Sequence, residues 1–375
     1  MSDYTARTRC RLCDSHKLDV SLDLGETPLA NELGGTETFP LVVLRCEDCE
    51  HHQLSIAVSP ARLWGPSYPY QSGTSPVMRQ HLRLLADEIA ELAPGGNVLE
   101  LASNDGTLVK LLRARGIRSA MGMDPSGPDD EENGLFQMSW PEPYPRADED
   151  VIVALNVFAH VDDLHGFTAA IKKSLKPNGV FIFEVGYVRD VVERGLFDVI
   201  YHEHMSYHSL HPLRVFFDHH GLRLTKFVRN DSQGGSIRCY VRHHDGTPLT
   251  VDPEPVLDMS KMRETIDVRS AALQSIITST RGTFAGYGAP AKLTTMMYAT
   301  GLREYCDLQC VFDDNPLKVG RTTPGAHVPI VSSAELLERA PDNLVLFSWN
   351  FADAITARLR AFGYKGNIIN PMSPH

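Results

Sequence analysis

The sequence predicts an α/β protein in three parts, with two doubly wound, Rossmann-like units behind a small cysteine-rich module. Three observations carry this expectation. Strand-like and helix-like runs alternate through the middle of the chain and again near its end, which implies mostly parallel sheets with helices on both faces. Two CxxC pairs, Cys10 with Cys13 and Cys46 with Cys49, sit within the first 55 residues. A Pro-containing stretch, VDPEPV at 251–256, reads as a linker. The parts are therefore placed at 1–55, 56–246 and 255–375.

The first part is too small to bury a strong core unaided, so a cross-link would help it. Strand-like runs such as 41–44 lie between its two cysteine knuckles. Four thiolates, Cys10, Cys13, Cys46 and Cys49, suit a closed tetrahedral zinc site of the structural kind. Coincidental or redox-active dithiols are the competing reading. Cys239, Cys306 and Cys310 are scattered elsewhere.

The second part opens with a helical stretch at 75–93, then GGNVLELASNDGTLVKLLRARGIRSAMGMDPS. This reads as a strand at 98–101, a tight loop, a helix at 107–114 with apolar Leu108, Leu111 and Leu112, and a strand at 119–123 ending at Asp124. Strands at 151–155 and 180–185 flank a helix at 164–174. Glu100 ends the first strand, ahead of Ala102, Asn104, Asp105 and Gly106, where open α/β sheets hold their ligands. Asp124 lies where an acidic residue would hold ribose hydroxyls. The arrangement suits the adenosyl part of S-adenosylmethionine, and the loop lacks the GxGxxG of a dinucleotide site. A Rossmann-like strand turn without cofactor is the alternative.

The third part starts with a helix at 257–279. RGTFAGYGAPAKLTTMMYATG then repeats the strand, Gly-turn, helix plan, and CDLQCVF, NLVLFSWN and NIINP supply further strands. Gly286, Gly288 and Ala291 form a GxGxxA loop, which lets a helix N-terminus approach a phosphate. Alone, that loop would point to a nicotinamide dehydrogenase.

The formal net charge of −11 argues mildly against a nucleic-acid partner, though not against a small nucleotide. No apolar run approaches the ~20 residues that span a bilayer, and MSDYTARTRC lacks the apolar core of a signal peptide. A cytoplasmic protein without a membrane partner is expected.

Together these pieces resemble the sugar C-methyltransferases that act on nucleotide-linked deoxysugars, and the resemblance spans essentially the whole chain. It is carried by the four cysteines and LGETPLAN, by LELASNDGTLVKLL and NVFAHVDDL, by FDVIYHEHMSYHSL, and by GYGAPAK, DDNPLKVGRTTPGAHVPI and SWNFADAI. Three departures stand out. Ala102 replaces a usual glycine, Gly186 a commoner proline, and Gln233 a frequent histidine.

The resemblance implies a class I methyltransferase domain, structural zinc, S-adenosylmethionine as methyl donor, and a C-terminal domain that holds the nucleotide-sugar. The acceptor it implies is a 4-keto-deoxysugar on a nucleoside diphosphate, with dTDP the expected carrier and a monomer the expected state. It also assigns residues. His204 becomes the base, with Tyr201, Glu203 and His160 beside the reacting sugar. Tyr70 and Ser72 (from YPYQSGTS, with Tyr68 the rival tyrosine) and Asn156 join Glu100, the 102–106 loop and Asp124 around the cofactor. Gly286, Gly288, Lys292, Asn315 and Lys318 fall to the nucleotide-sugar.

Histidine suits a base because its pKa lies near neutrality, and a developing enolate needs donors aimed at its oxygen. If 201–204 were a strand, Tyr201 and Glu203 would share one face and His202 and His204 the other, and a turn would relax that rule. His202, His208, His211, His219 and His220 read as surface or packing residues. The rival activities are oxygen or nitrogen methylation of the same kind of sugar, a nicotinamide oxidoreductase using GYGAPAK, and a zinc-dependent binding module with a decayed cofactor loop.

Overall fold

The computed structural model describes residues 3–65, 68–142, 148–246 and 255–373. Residues 251–254 of the expected linker lie outside that set. The middle part is built on a seven-stranded sheet, in the order Leu222–Asn230, Ser236–His243, Leu175–Gly186, Glu149–Leu155, Val98–Leu101, Ala120–Met123 and Leu135–Phe136. Its last five strands are parallel, as the alternating pattern requires. Side chains alternate between two buried faces. Leu99, Leu101, Ile152, Phe181 and Phe183 meet the helices Leu164–Ser174 and Leu210–His219. Val98, Val151, Val153, Val180 and Ile182 face Pro76–Leu92 and Thr107–Ala114.

The first two strands in that order depart from the parallel plan. Leu222–Asn230 and Ser236–His243 form an antiparallel hairpin that also pairs antiparallel with Leu175–Gly186. Only a short turn joins them, and a parallel pair would need a crossover of a dozen or more residues. Helix boundaries follow local chemistry. Ser75 caps Pro76–Leu92 by accepting from the Met78 N–H, with Pro76 in the first turn. The helix expected from 257 starts at Met262, because Asp258 accepts from Ser260 N–H and draws Met259–Lys261 into a 3₁₀ turn.

The cysteine module has an antiparallel sheet in the order Ser206–Tyr207, His52–Leu54, Thr38–Cys46 and Leu18–Pro28. Its first strand belongs to the middle part of the chain. A second pair, Tyr4–Ala6 with Ile56–Val58, carries the module past residue 55. The C-terminal part is a five-stranded parallel sheet, ordered Ile330–Ser332, Leu308–Asp313, Phe284–Tyr287, Asn343–Leu346 and Asn367–Ile369. One apolar cluster joins all three parts, with Leu41 and Leu54 of the module, Ile200 and Tyr207 of the middle, and Met262 and Leu293 of the C-terminal part.

The four cysteine sulfurs lie within 4.8 Å of one another, with Cys10 to Cys49 and Cys13 to Cys46 each 3.5 Å. Zinc–sulfur bonds of about 2.3 Å place tetrahedral sulfurs roughly 3.8 Å apart, so the donor set fits zinc closely. Cys46 is fully buried at the end of its strand and cannot be replaced by another nearby thiol. Cys46→Ser should abolish stoichiometric zinc, measured by metal analysis, and lower the thermal midpoint by roughly 5–10 °C.

Candidate active site

The loop after Val98–Leu101 turns on left-handed residues: Ala102 at φ 52°, Asn104 at φ 53° and Gly106 at φ 72°. Glycine adopts that region freely, whereas a Cβ at Ala102 costs roughly 1–2 kcal/mol. Asn156, at the end of Glu149–Leu155, is also left-handed (φ 55°), and its N–H donates to Glu184 O at 2.7 Å. Asp124 is held by two backbone amides, Asn104 N at 3.0 Å and Ser126 N at 2.7 Å. Glu100 is 5% exposed and its Oε2 has no hydrogen-bond partner. Burial, reinforced by Asp105 and Asp124, pushes its pKa well above the usual carboxylate range. An orphaned buried carboxyl beside a ribose-type carboxylate fits an adenosyl group that brings its own polar atoms.

The side chains of Asn104 and Asp105 face a strap formed by 68–75. Asn104 Oδ1 accepts from Ser72 N at 2.9 Å and from Ser72 Oγ at 3.1 Å, and its Nδ2 donates to Tyr70 O at 3.0 Å. Asp105 Oδ2 accepts from Gly73 N at 2.8 Å. These side chains thus position the strap over the loop. Tyr70 is 40% exposed. Tyr68, the rival tyrosine, is half-buried and faces Glu203 and Asp124.

Residues 201–204 are a turn, closed by His204 N donating to Tyr201 O at 2.9 Å. Strict strand alternation is thereby corrected. A stacked row follows: Trp64 on His160 at 5.8 Å, His160 on His204 at 5.2 Å, and His204 against Tyr201 at 4.0 Å. Ser126 links this row to the cofactor side, since its Oγ donates to Trp64 O at 2.7 Å. His204 Nδ1 lies 2.7 Å from Val199 O, a pure acceptor, so Nδ1 carries the hydrogen and Nε2 the lone pair. Burial lowers the His204 pKa to about 4 and that of His160 to about 3, so both rings are neutral. The Nε2 atom of His160 is buried without a partner.

Glu203 is 1% exposed. Its Oε1 accepts from Asn31 Nδ2 at 3.0 Å, and burial raises its pKa to about 7. His202 and His208 are buried packing residues, as expected; His202 sits edge-on to Phe39, and His208 packs against Phe158.

In the C-terminal part, Gly286 lies inside its strand, where a Cβ would come within 2.7 Å of the Phe347 ring. Gly288 is left-handed, and a Cβ there would strike Ser348. Close packing alone thus accounts for both glycines. Lys318 is buried with Nζ on Ala289 O at 2.8 Å, and Asn315 Nδ2 reaches across to Pro69 O of the strap at 2.8 Å. Lys292 donates to Asn350 Oδ1 at 2.7 Å and stands over the Trp349 ring at 4.4 Å. A cleft of about 440 Å³ opens between the middle and C-terminal parts, lined by Arg194, Asp231, Gly234, Arg269, Trp349 and Asn350.

Comparisons with known proteins agree with this layout. Family profiles match for a zinc binding domain at 10–64, a methyltransferase domain at 77–226 and a C-methyltransferase C-terminal domain at 231–372. C-methyltransferase NovU of Streptomyces niveus is 30% identical over 394 residues, covering 94% of this chain and 92% of NovU. The chain belongs to the C-methyltransferases. Among solved structures, the CcbJ methyltransferase of Streptomyces caelestis is 14% identical over 49% of this chain and 96% of that one, with a TM-score of 0.34. The mitomycin 7-O-methyltransferase MmcR is 13% identical over 45% and 55%, with a TM-score of 0.37. Scores this low do not bear on the assignment.

This C-methyltransferase takes its methyl group from S-adenosylmethionine, and its four cysteines form a structural zinc site. Among the described residues no helix is long and apolar enough to cross a membrane. Sequence reasoning missed Asn31, which lay unremarked inside LGETPLAN, and Trp64, one of only three tryptophans. Trp349 and Asn350 were carried only within the SWNFADAI string.

Ala102→Gly should relieve the left-handed strain and raise stability by about 1 kcal/mol, read from denaturant unfolding. A second expectation concerns acid. His160, His202, His204 and His208 have folded pKa values of about 3 to 4, below the ~6.5 of an unfolded histidine. Their contribution is complete above pH 6.5 and is lost as pH falls toward 4, because the unfolded chain binds protons first. Glu100 and Glu203, raised by burial, oppose this with one proton each. The four histidines outweigh them, so the unfolding midpoint should fall between pH 6.5 and 4.5.

Proposed function

We propose that this C-methyltransferase methylates the carbon beside the ketone of a 4-keto-deoxysugar linked to a nucleoside diphosphate, with dTDP the expected carrier. The observation that carries the reading is the locked tautomer of His204, whose Nε2 lone pair is held neutral in a row with His160 and Tyr201. A keto group acidifies the neighbouring C–H. His204 Nε2 takes that proton, and the electron pair moves into an enolate. Tyr201, or His160 through its unpartnered Nε2, donates to the enolate oxygen. Glu203 orients a sugar hydroxyl. S-adenosylmethionine, held by the loop after Val98–Leu101 and Asp124, would supply the electrophilic methyl for the enolate carbon, with S-adenosylhomocysteine as the leaving group.

The interdomain cleft supports a nucleotide-linked acceptor. Arg194, Arg269 and Asp231 are its charged lining residues, two cations to one carboxylate, which favours an anionic ligand such as a pyrophosphate, and Trp349 offers an aromatic face. Binding energy from the nucleotide would position a small sugar whose own contacts are few.

Mass spectrometry after incubation with methyl-deuterated S-adenosylmethionine and a panel of nucleotide-linked 4-keto sugars tests the acceptor. Labelled methyl on a sugar carbon is expected, and no transfer to any of them would discard this acceptor class. His204→Asn should reduce turnover by at least about 10²-fold while leaving cofactor affinity unchanged. An active variant would remove His204 as the base.

A further inference from the structure

We propose that Asn31, from the zinc-binding module, is a positioning residue for methyl transfer: it fixes the rotamer and charge state of Glu203, so that the module completes the active site as well as stapling the fold. The inference rests on the C-methylation reading above.

Asn31 follows Leu18–Pro28, whose partner strand Thr38–Cys46 ends at a zinc ligand. It lies 172 residues from Glu203 in sequence, yet its Nδ2 donates to Glu203 Oε1 at 3.0 Å. That amide is the side-chain hydrogen-bond donor found for this buried carboxyl among the described residues, while Oε2 has no partner. A carboxyl 1% exposed, held at one oxygen, therefore presents the other to a ligand. The same module brings Arg11, also buried, whose guanidinium donates to Leu54 O at 2.8 Å and faces Tyr207.

Charge state follows from the same contact. Burial pushes Glu203 upward, and its own backbone N–H, followed by the side-chain amide and backbone N–H of Asn31, pulls it back toward ionisation, giving a value of about 7. The titratable groups facing this carboxyl are Tyr68 of the strap, Tyr201 of the turn and Tyr207 of the paired strand, all with pKa values raised by burial and thus neutral. No cation is among them, so apart from two backbone N–H groups the side-chain amide of Asn31 is what favours the carboxylate. The sign is fixed: without the donor, Glu203 stays protonated to higher pH.

The test compares wild type with Asn31→Ala and with the isosteric Asn31→Asp, which replaces the donor by an acceptor. Four properties are read: zinc content, thermal midpoint, cofactor affinity, and the titration of Glu203 by carboxyl ¹³C NMR in glutamate-labelled protein, assigned with Glu203→Gln. The expected result is full zinc, near-wild-type cofactor affinity, and a Glu203 midpoint raised by roughly one pH unit in Asn31→Ala and further in Asn31→Asp. With an accepted substrate, kcat should fall at least about tenfold and its acid limb should move upward by the same interval. An unchanged Glu203 titration in both variants overturns the proposal. So does a loss of zinc and stability in step with turnover, because Asn31 would then be merely structural. The NMR arm needs no acceptor, so failure of the 4-keto-sugar reading would leave this result intact and be seen separately.

Discussion

Two residues of strand pairing, Ser206 with Gln53 and Tyr207 with His52, tie the 201–204 turn to the sheet that the cysteines close. The turn itself is short and irregular, with the 201–204 closure and the His204 Nδ1 bond to Val199 O as its local hydrogen bonds among the described residues. Its orientation is borrowed. Leu54 N donates to Met205 O at 2.9 Å, the ring of His51 lies near Ser206 Oγ at 3.3 Å, and Thr295 of the C-terminal part donates to Ile200 O at 2.6 Å. A loop clamped at both ends by different parts of the chain holds His204, Glu203 and Tyr201 without needing regular structure of its own. Reaction geometry tolerates only small displacements, so such clamping is what a site on a turn requires.

Much of this was legible in the sequence because it is local. The strand at Val98–Leu101 and the helix Thr107–Ala114 fall where apolar periodicity puts them. The CxxC spacing identifies the metal cluster because a thiolate tetrad has almost no other use in a small module. What could not be read depends on distant partners. Ser206–Tyr207 is too short to announce itself as a strand, and it exists as one only because His52–Leu54 offers an edge. Asn31 is one polar residue after a strand, and only the three-dimensional approach of Glu203 gives it a role. The antiparallel hairpin at Leu222–His243 was hidden for a different reason: an apolar strand reads the same whichever way its neighbour runs.

The residues expected to touch ligand divide by what their side chains already do. Glu100 and Glu203 each retain a buried oxygen without a partner, and His160 a ring nitrogen. Asn104, Asp105, Asn315 and Lys318 are saturated by protein contacts. Motif reasoning cannot separate these two groups, since both lie in the same characteristic strings. The difference is one of hydrogen-bond accounting: buried polar atoms are normally paired, so among the residues expected at the site those left unpaired have capacity for a ligand's atoms, although packing residues such as His202 also retain unpartnered nitrogens.

The saturated group has its own consequence, because its contacts converge on one segment. The strap at 68–75 is held to the loop after Val98–Leu101 by Asn104 and Asp105, and to the C-terminal part by Asn315. Its Tyr68 faces Glu203 and Asp124 together. Asn104 makes three of these neutral or charge-assisted hydrogen bonds and Asp105 and Asn315 one each, all of modest net strength, so the strap's position reflects their sum. A ligand that orders either of the two surfaces would therefore reduce the remaining cost of ordering the strap for the other. Under the proposed function, a nucleotide seated against Trp349 in the cleft would contribute to chemistry at His204 without touching it, and its binding energy would raise the rate only if the aligned state is the reactive one.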